Sequence, residues 1–248
     1  DLHSFPTRRS SDLEPDGSAG TCMYRFDGDL KKMDFLRYDL SNLAYAIPGM
    51  KTGAVIGVGG GRDVLSARVF GLENVVGVEI NPLFVGLLKD RYADYNTLNK
   101  LSGVSFEVDE ARSWLARTPQ SFDVIQMSLI DTWAATGAGA FTLSENGLYT
   151  VEAWSRFLQR LTPQGVFTVS RWYAPGDVNE TGRMISLAIA TLLQGGSAAP
   201  RQHIYVASAG NIATLVMAKT PLTPDALNAL NGTIDRRSEE HTSELQSQ

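Results

Sequence analysis

The stretch Ala54–Ala67, AVIGVGGGRDVLSA, carries the decision on fold class. An apolar, β-branched run from Ala54 to Val58 reads as a buried strand. Gly59, Gly60 and Gly61 follow it, with Gly57 just before, and Asp63–Val69 returns to a helical spacing. Absent side chains in such a strand-to-helix turn let a ligand approach the backbone, and the helix N-terminus faces that ligand. The spacing therefore points to a nucleotide site. A tight turn also needs glycine for packing alone, and both readings stand at this stage.

Working outward, short strands alternate with longer amphipathic stretches. Val75–Ile80, Val104–Val108, Phe122–Met127, Gly165–Arg171, His203–Ala207 and Ile212–Ala218 read as further strands. Pro82–Tyr92, Ala111–Ala116, Thr150–Leu161 and Glu180–Leu193 read as helices. Asn81 is a good cap for a helix whose first residue is Pro82. The alternation predicts a doubly wound α/β fold with a mostly parallel sheet of seven strands. The last two strands have no room for a helix between them. Ser208–Asn211, with Gly210 inside, predicts a C-terminal antiparallel hairpin. Residues 14–50 form a lead-in whose Met33, Leu36, Leu40, Leu43 and Ala44 predict a helix over Lys32–Ala46, able to line or cover a site. Residues 51–236 are one domain, without internal repeat. Residues 1–13, DLHSFPTRRSSDL, and 237–248, RSEEHTSELQSQ, lack periodicity and resemble in-frame translations of sequencing-library adapters, so they are set aside as artefacts.

The whole chain has 248 residues and a formal net charge of −5. That charge offers no basic field for nucleic acid. One cysteine, Cys22, excludes an intramolecular disulfide and, with three histidines, points away from a metal site and towards a reducing compartment.

The chemistry gathers at the carboxyl ends of the early strands. Glu79 ends the second strand in VVGVEINP, twenty residues after Gly59, where a carboxylate can accept from both ribose hydroxyls. The third strand, in VSFEVDEARSWL, ends at Asp109 and Glu110. Asp109 sits where it could accept from an adenine amine or could equally cap the helix that follows. Trp172 and Tyr173, after the fifth strand, read as core, and His203 as an edge residue.

GVGGGRD, GVEINP, VDEARSWL and FDVIQMSLID, in that order, resemble the successive motifs of class I S-adenosylmethionine-dependent transferases, and specifically their spermidine synthase-like branch. AFTLSENGLYTVEAW and LTPQGVFTV, around Phe141 and Tyr149, are similar to later patterns of that branch, and the likeness runs from Tyr38 to Lys219. The resemblance implies a Rossmann-like class I methyltransferase fold. It also implies an adenosyl sulfonium ligand, S-adenosylmethionine or its decarboxylated form, held at Gly57, Gly59, Gly60, Gly61, Arg62, Asp63, Glu79, Asp109, Glu110 and Ser128. No metal is implied. The expected partners are a small-molecule amine and a second copy in a homodimer. Relatives are often fused to a multispanning membrane segment, which would put this domain on a cytoplasmic membrane face.

Departures from the pattern matter. Where spermidine synthases place an aspartate after the third glycine, this chain has Arg62, then Asp63. An arginine there would pair with the carboxylate of ordinary S-adenosylmethionine, or face solvent. The family's pair of aspartates after the fourth strand corresponds to Ser128 and Asp131. Serine is a poor base, so Asp131 would take the proton from an attacking amine, assisted by Tyr149 or Glu145. The Tyr-His pair of the family's lead-in matches Arg37 and Tyr38. Three readings follow: aminopropyl transfer to a polyamine, methyl transfer from ordinary S-adenosylmethionine, and an inactive module that binds an adenosyl ligand or polyamine.

Overall fold

The structure is a computed structural model that describes residues 10–13, 21–130, 147–174, 176 and 179–246. Nine strands lie among them: β1 (Ser10–Leu13), β2 (Thr21–Tyr24), β3 (Thr52–Ile56), β4 (Asn74–Glu79), β5 (Val104–Val108), β6 (Phe122–Ser128), β7 (Leu161–Trp172), β8 (Ile204–Ala209) and β9 (Ile212–Ala218). The α-helices are α1 (Arg62–Val69), α2 (Pro82–Gly86), α3 (Ala111–Arg117), α4 (Val151–Gln159), α5 (Asn179–Gln194) and α6 (Pro224–Gln246). α2 runs on into a π-helical turn over Leu87–Arg91.

Seven strands form one sheet in the order β5-β4-β3-β6-β7-β9-β8. The first five of that order run parallel, and β9 and β8 each run antiparallel to the preceding neighbour. The predicted seven-stranded sheet and its C-terminal hairpin are thus present. Alternation along the strands divides the core between the two faces. Val55, Val124, Val166 and Val216 pack with Leu36, Leu43, Leu65 and Leu230 of the lead-in, α1 and α6. Their strand neighbours Ile56, Ile125, Phe167 and Leu215 pack with Leu115, Trp154, Phe157 and Leu192 of α3, α4 and α5. Both sheet faces are covered, which is why the inner strands read as nearly continuous apolar runs.

The lead-in differs from its expectation. Lys32–Ala46 is not one helix but parts of two 3-10 segments, Leu30–Tyr38 and Leu40–Ala46. Asp39 separates them in an extended conformation and caps the second by accepting from the Ser41 amide. α6 is an element for which the sequence reading offered nothing, and it continues through residues 237–246. β1, within residues 1–13, pairs antiparallel with β2. Trp172 is the last residue of β7 and 45% exposed, so it is not core. Among the described residues, no helix is long and apolar enough to cross a membrane.

The chain moves outward from β3 to β4 and β5, then crosses back to β6 on the other side of β3. In an open α/β sheet this reversal leaves a crevice at the carboxyl ends of β3 and β6, where ligands bind.

Candidate functional site

The glycine turn forms one wall of that crevice. Gly57, Gly59 and Gly61 have φ of 77°, 49° and 85°, in the left-handed region that only glycine adopts at no steric cost. Packing adds a second demand. A Cβ on Gly60 would lie 2.2 Å from the Cys22 carbonyl oxygen, and one on Gly59 would lie 2.6 Å from Thr21 Oγ1. β2 therefore lies directly on the turn, and the Gly60 amide donates to Thr21 Oγ1 over 3.0 Å. Glycine at 59 and 60 is required by the chain's own packing whether or not a ligand is present.

Two carboxylates stand beside the turn. Glu79, buried at the end of β4, accepts from the amide of Gly59 at 3.1 Å and of Asn81 at 2.9 Å. Asp109 follows β5, accepts from the Glu110 amide at 2.8 Å, and pairs with Arg117. The cap of α3 is Glu110, not Asp109: its carboxylate accepts from the amides of Arg112 and Ser113, both at 3.0 Å. Partial burial works against ionisation of Glu110, but these amides and the Ser113 hydroxyl outweigh it and lower its pKa. Asp109 is thereby released from capping.

Arg62 neither faces solvent nor stands unpaired. Its Nε lies 2.9 Å from Asp63 Oδ1 and its Nη1 3.2 Å from Asp39 Oδ2. The charge of Asp63 raises its pKa against the cost of burial, and Asp39 adds to the effect. Formally the trio carries one net negative charge at the start of α1. Asp39, from the lead-in, had no place in the sequence-derived site.

At the exit of β6, Ser128 is buried and accepts from Gln126 Nε2 at 2.9 Å. The same amide donates to the Ser41 carbonyl at 2.9 Å, and Gln126 Oε1 accepts from the Tyr45 hydroxyl. Burial pushes the Tyr45 phenol well above its usual range, and the charge of Asp63 acts the same way, so Tyr45 stays a donor. Asn42 extends the network, donating to Ser66 Oγ at 3.0 Å and to the Leu36 carbonyl at 2.8 Å. Ser128 thus ends a buried chain of polar groups that joins the lead-in to β6. Leu129, next in sequence, has φ of 47°, unusual for a leucine. The two walls touch: a Cβ on Gly57 would sit 3.1 Å from Ile130 Cδ1.

No protein-family model matches the chain, and no curated protein matches its sequence. Solved structures do match. A spermidine synthase in complex with the transition state analogue AdoDATO superposes with a TM-score of 0.53 at 14% identity, over 88% of this chain and 74% of that one. Spermidine synthase from Thermotoga maritima gives 0.51 at 16% identity, over 84% and 67%. Human Methyltransferase-like protein 13 in complex with SAH gives 0.50 at 15% identity, over 84% and 90%. The chain has the Rossmann-like methyltransferase fold.

Within that fold, the structure gathers Gly57, Gly59, Gly60, Gly61, Glu79 and Asp109 at adjacent strand ends, with Arg62 and Asp63 behind the turn and Ser128 across the crevice. Asp131, Glu145 and Phe141 lie outside the described residues. Tyr149, one residue before the Thr150 cap of α4, accepts a hydrogen bond from Arg171 Nη1 at 3.2 Å. Of the lead-in pair, Arg37 donates to the Val69 carbonyl and Tyr38 is exposed. Among the described residues, no group of three or more His, Cys, Asp and Glu gathers as metal ligands. Arg171, Gln126 and Tyr45 are functional candidates that sequence reasoning missed. Their only signal was polarity within otherwise apolar or helical patterns.

Proposed function

We propose that this chain is an adenosyl-sulfonium-dependent transferase of the spermidine synthase-like kind, which moves an aminopropyl group to a small polyamine-type amine. The observation that carries the reading is the pairing of Arg62 with Asp63 and Asp39. It ties the Arg62 guanidinium, a possible partner for a ligand carboxylate by its place in the sequence, to carboxylates of the chain itself and leaves a formal negative charge near the turn. Such a charge suits a ligand tail ending in an ammonium, as in decarboxylated S-adenosylmethionine.

The residues present fit the adenosyl group. An ionised carboxylate has about four acceptor positions. Glu79 uses two of them on Gly59 and Asn81, leaving capacity for two ribose hydroxyls from a side chain already held in place. Asp109, not needed as a cap, can accept from the adenine amine. When bound, the ligand supplies a carbon made electrophilic by the sulfonium: a C–N bond forms to the amine as the C–S bond breaks, the electron pair stays on sulfur, methylthioadenosine leaves, and the nitrogen gives up one proton. Asp131 is the proposed acceptor of that proton, assisted by Tyr149. Ser128, tied to Gln126, serves as part of the wall.

A serine at 128 in place of an acid favours a second reading, methyl transfer from ordinary S-adenosylmethionine. Calorimetric titration of the full chain with the carboxylated and decarboxylated ligands, in one buffer, separates the two. Tighter binding of the decarboxylated form is the expected result. Tighter binding of the carboxylated form overturns aminopropyl transfer in favour of methyl transfer, and binding of neither overturns both.

A further inference from the structure

We propose that Arg171 is the positioning residue on the acceptor side of this site, joining the exit of β6 and the Tyr149 phenol into one unit; the inference rests on the transfer reading above. Arg171 lies in β7, and its side chain is 17% exposed. Its Nη1 donates to the Ile130 carbonyl at 3.0 Å and to Tyr149 Oη at 3.2 Å. Its guanidinium carbon stands 5.1 Å from the centre of the Tyr149 ring. On its other side, Nε and Nη2 lie 3.1 and 3.4 Å from the two Glu180 oxygens on α5. One planar group therefore ties β6, β7, α5 and the residue ahead of α4 together, and a guanidinium suits this because its donors diverge in a rigid fork.

What it holds is under strain. Leu129 has φ of 47°, and its amide donates to the Ser170 carbonyl at 3.0 Å. With the Arg171 bond to Ile130, that contact fastens the main chain after Ser128 to β7. A left-handed leucine persists only where its surroundings over-determine it. Removing the guanidinium frees Ile130, lets Leu129 relax, and turns Ser128 and the Tyr149 hydroxyl independently of each other.

The test compares wild type, Arg171→Met and Arg171→Lys as full chains, by residue-resolved amide exchange, by the ring signal of Tyr149 assigned with Tyr149→Phe, and by binding and turnover. In Arg171→Met the Leu129 amide is expected to exchange about tenfold faster or more, as for a lost charge-assisted hydrogen bond, while Ile125 and Phe167 keep wild-type rates. The Tyr149 ring signal should shift. Arg171→Lys, which keeps the charge but not the fork, should fall between. In turnover, adenosyl-ligand affinity should hold while KM for the amine rises or kcat falls. Unchanged exchange at Leu129 with an unmoved Tyr149 signal overturns the proposal, as does protection lost equally across the whole sheet. If wild type binds no adenosyl ligand, the transfer reading fails and the acceptor-side role with it, whereas exchange still reports separately whether Arg171 joins the two elements.

Discussion

On the glycine-turn side of the crevice, the two strand-end carboxylates are held by groups of the turn and of their own strand ends. Glu79 accepts from Asn81, two residues on, and from Gly59, twenty residues back, and Asp109 accepts from Glu110. On the β6 side, the groups are held from far away. Gln126 reaches Ser41 across 85 positions and Tyr45 across 81, and Arg171 reaches Ile130 across 41. The carboxylates of the first wall belong to a motif, although β2 and Asp39 reach its turn from further off. The second is assembled from the lead-in, β6 and β7, and exists only when those elements have packed.

The largest expected effect tests whether the first wall is as local as it looks. Gly60→Ala forces a methyl group against the Cys22 carbonyl, so β2 must move, and stability should fall by about 3 kcal/mol in chemical denaturation. A neutral result would mean that β2 does not depend on the turn. Next, Gln126→Leu keeps the bulk but strands the buried Tyr45 hydroxyl, the Ser41 carbonyl and Ser128. It should cost roughly 2 kcal/mol and speed amide exchange at both Ser41 and Ser128. Glu79→Gln should act on binding rather than folding, weakening the adenosyl ligand by about 1.5 kcal/mol in calorimetry. Leu129→Gly should be nearly neutral in denaturation, because relief of about 1 kcal/mol of left-handed strain offsets the loss of a side chain and the extra freedom of the unfolded chain.

The smallest effect lies at the opposite ends of these strands and is confined to acid. Asp123 is partly buried, which opposes ionisation, but the amides of Lys51 and Thr52 and the hydroxyls of Thr162 and Thr52 lower its pKa from the ordinary 3.8. A lowered folded value means stabilisation that is complete above the unfolded pKa and lost as pH falls through the folded one. Asp123→Asn should therefore flatten the acid limb of a stability-versus-pH curve and leave its shape near neutrality unchanged.

Much of the fold was legible because it is written in local periodicity. Val104–Val108 and Ile212–Ala218 coincide with β5 and β9, and the cap at Asn81 with Pro82 behind it opens α2 as read. The lead-in was misread because helical spacing does not reveal that Asp39 takes an extended conformation and starts a second 3-10 segment. In sequence Asp109 stayed open between contact with an adenine amine and the cap of α3, and only the geometry gives the cap to Glu110, whose side chain reaches two amides.

The sequence by itself determined the sheet, the crevice and the identity of the groups along its first wall, since strand alternation, glycine turns and strand-end carboxylates act over a few residues. Only the tertiary structure decided what those groups meet. It put Asp39 and Asp63 on Arg62, β2 on Gly60, and Arg171 on both Ile130 and Tyr149. The physical reason is that a buried charge or polar group takes its meaning from its partner, and these partners are brought together by burial of apolar surface elsewhere in the chain.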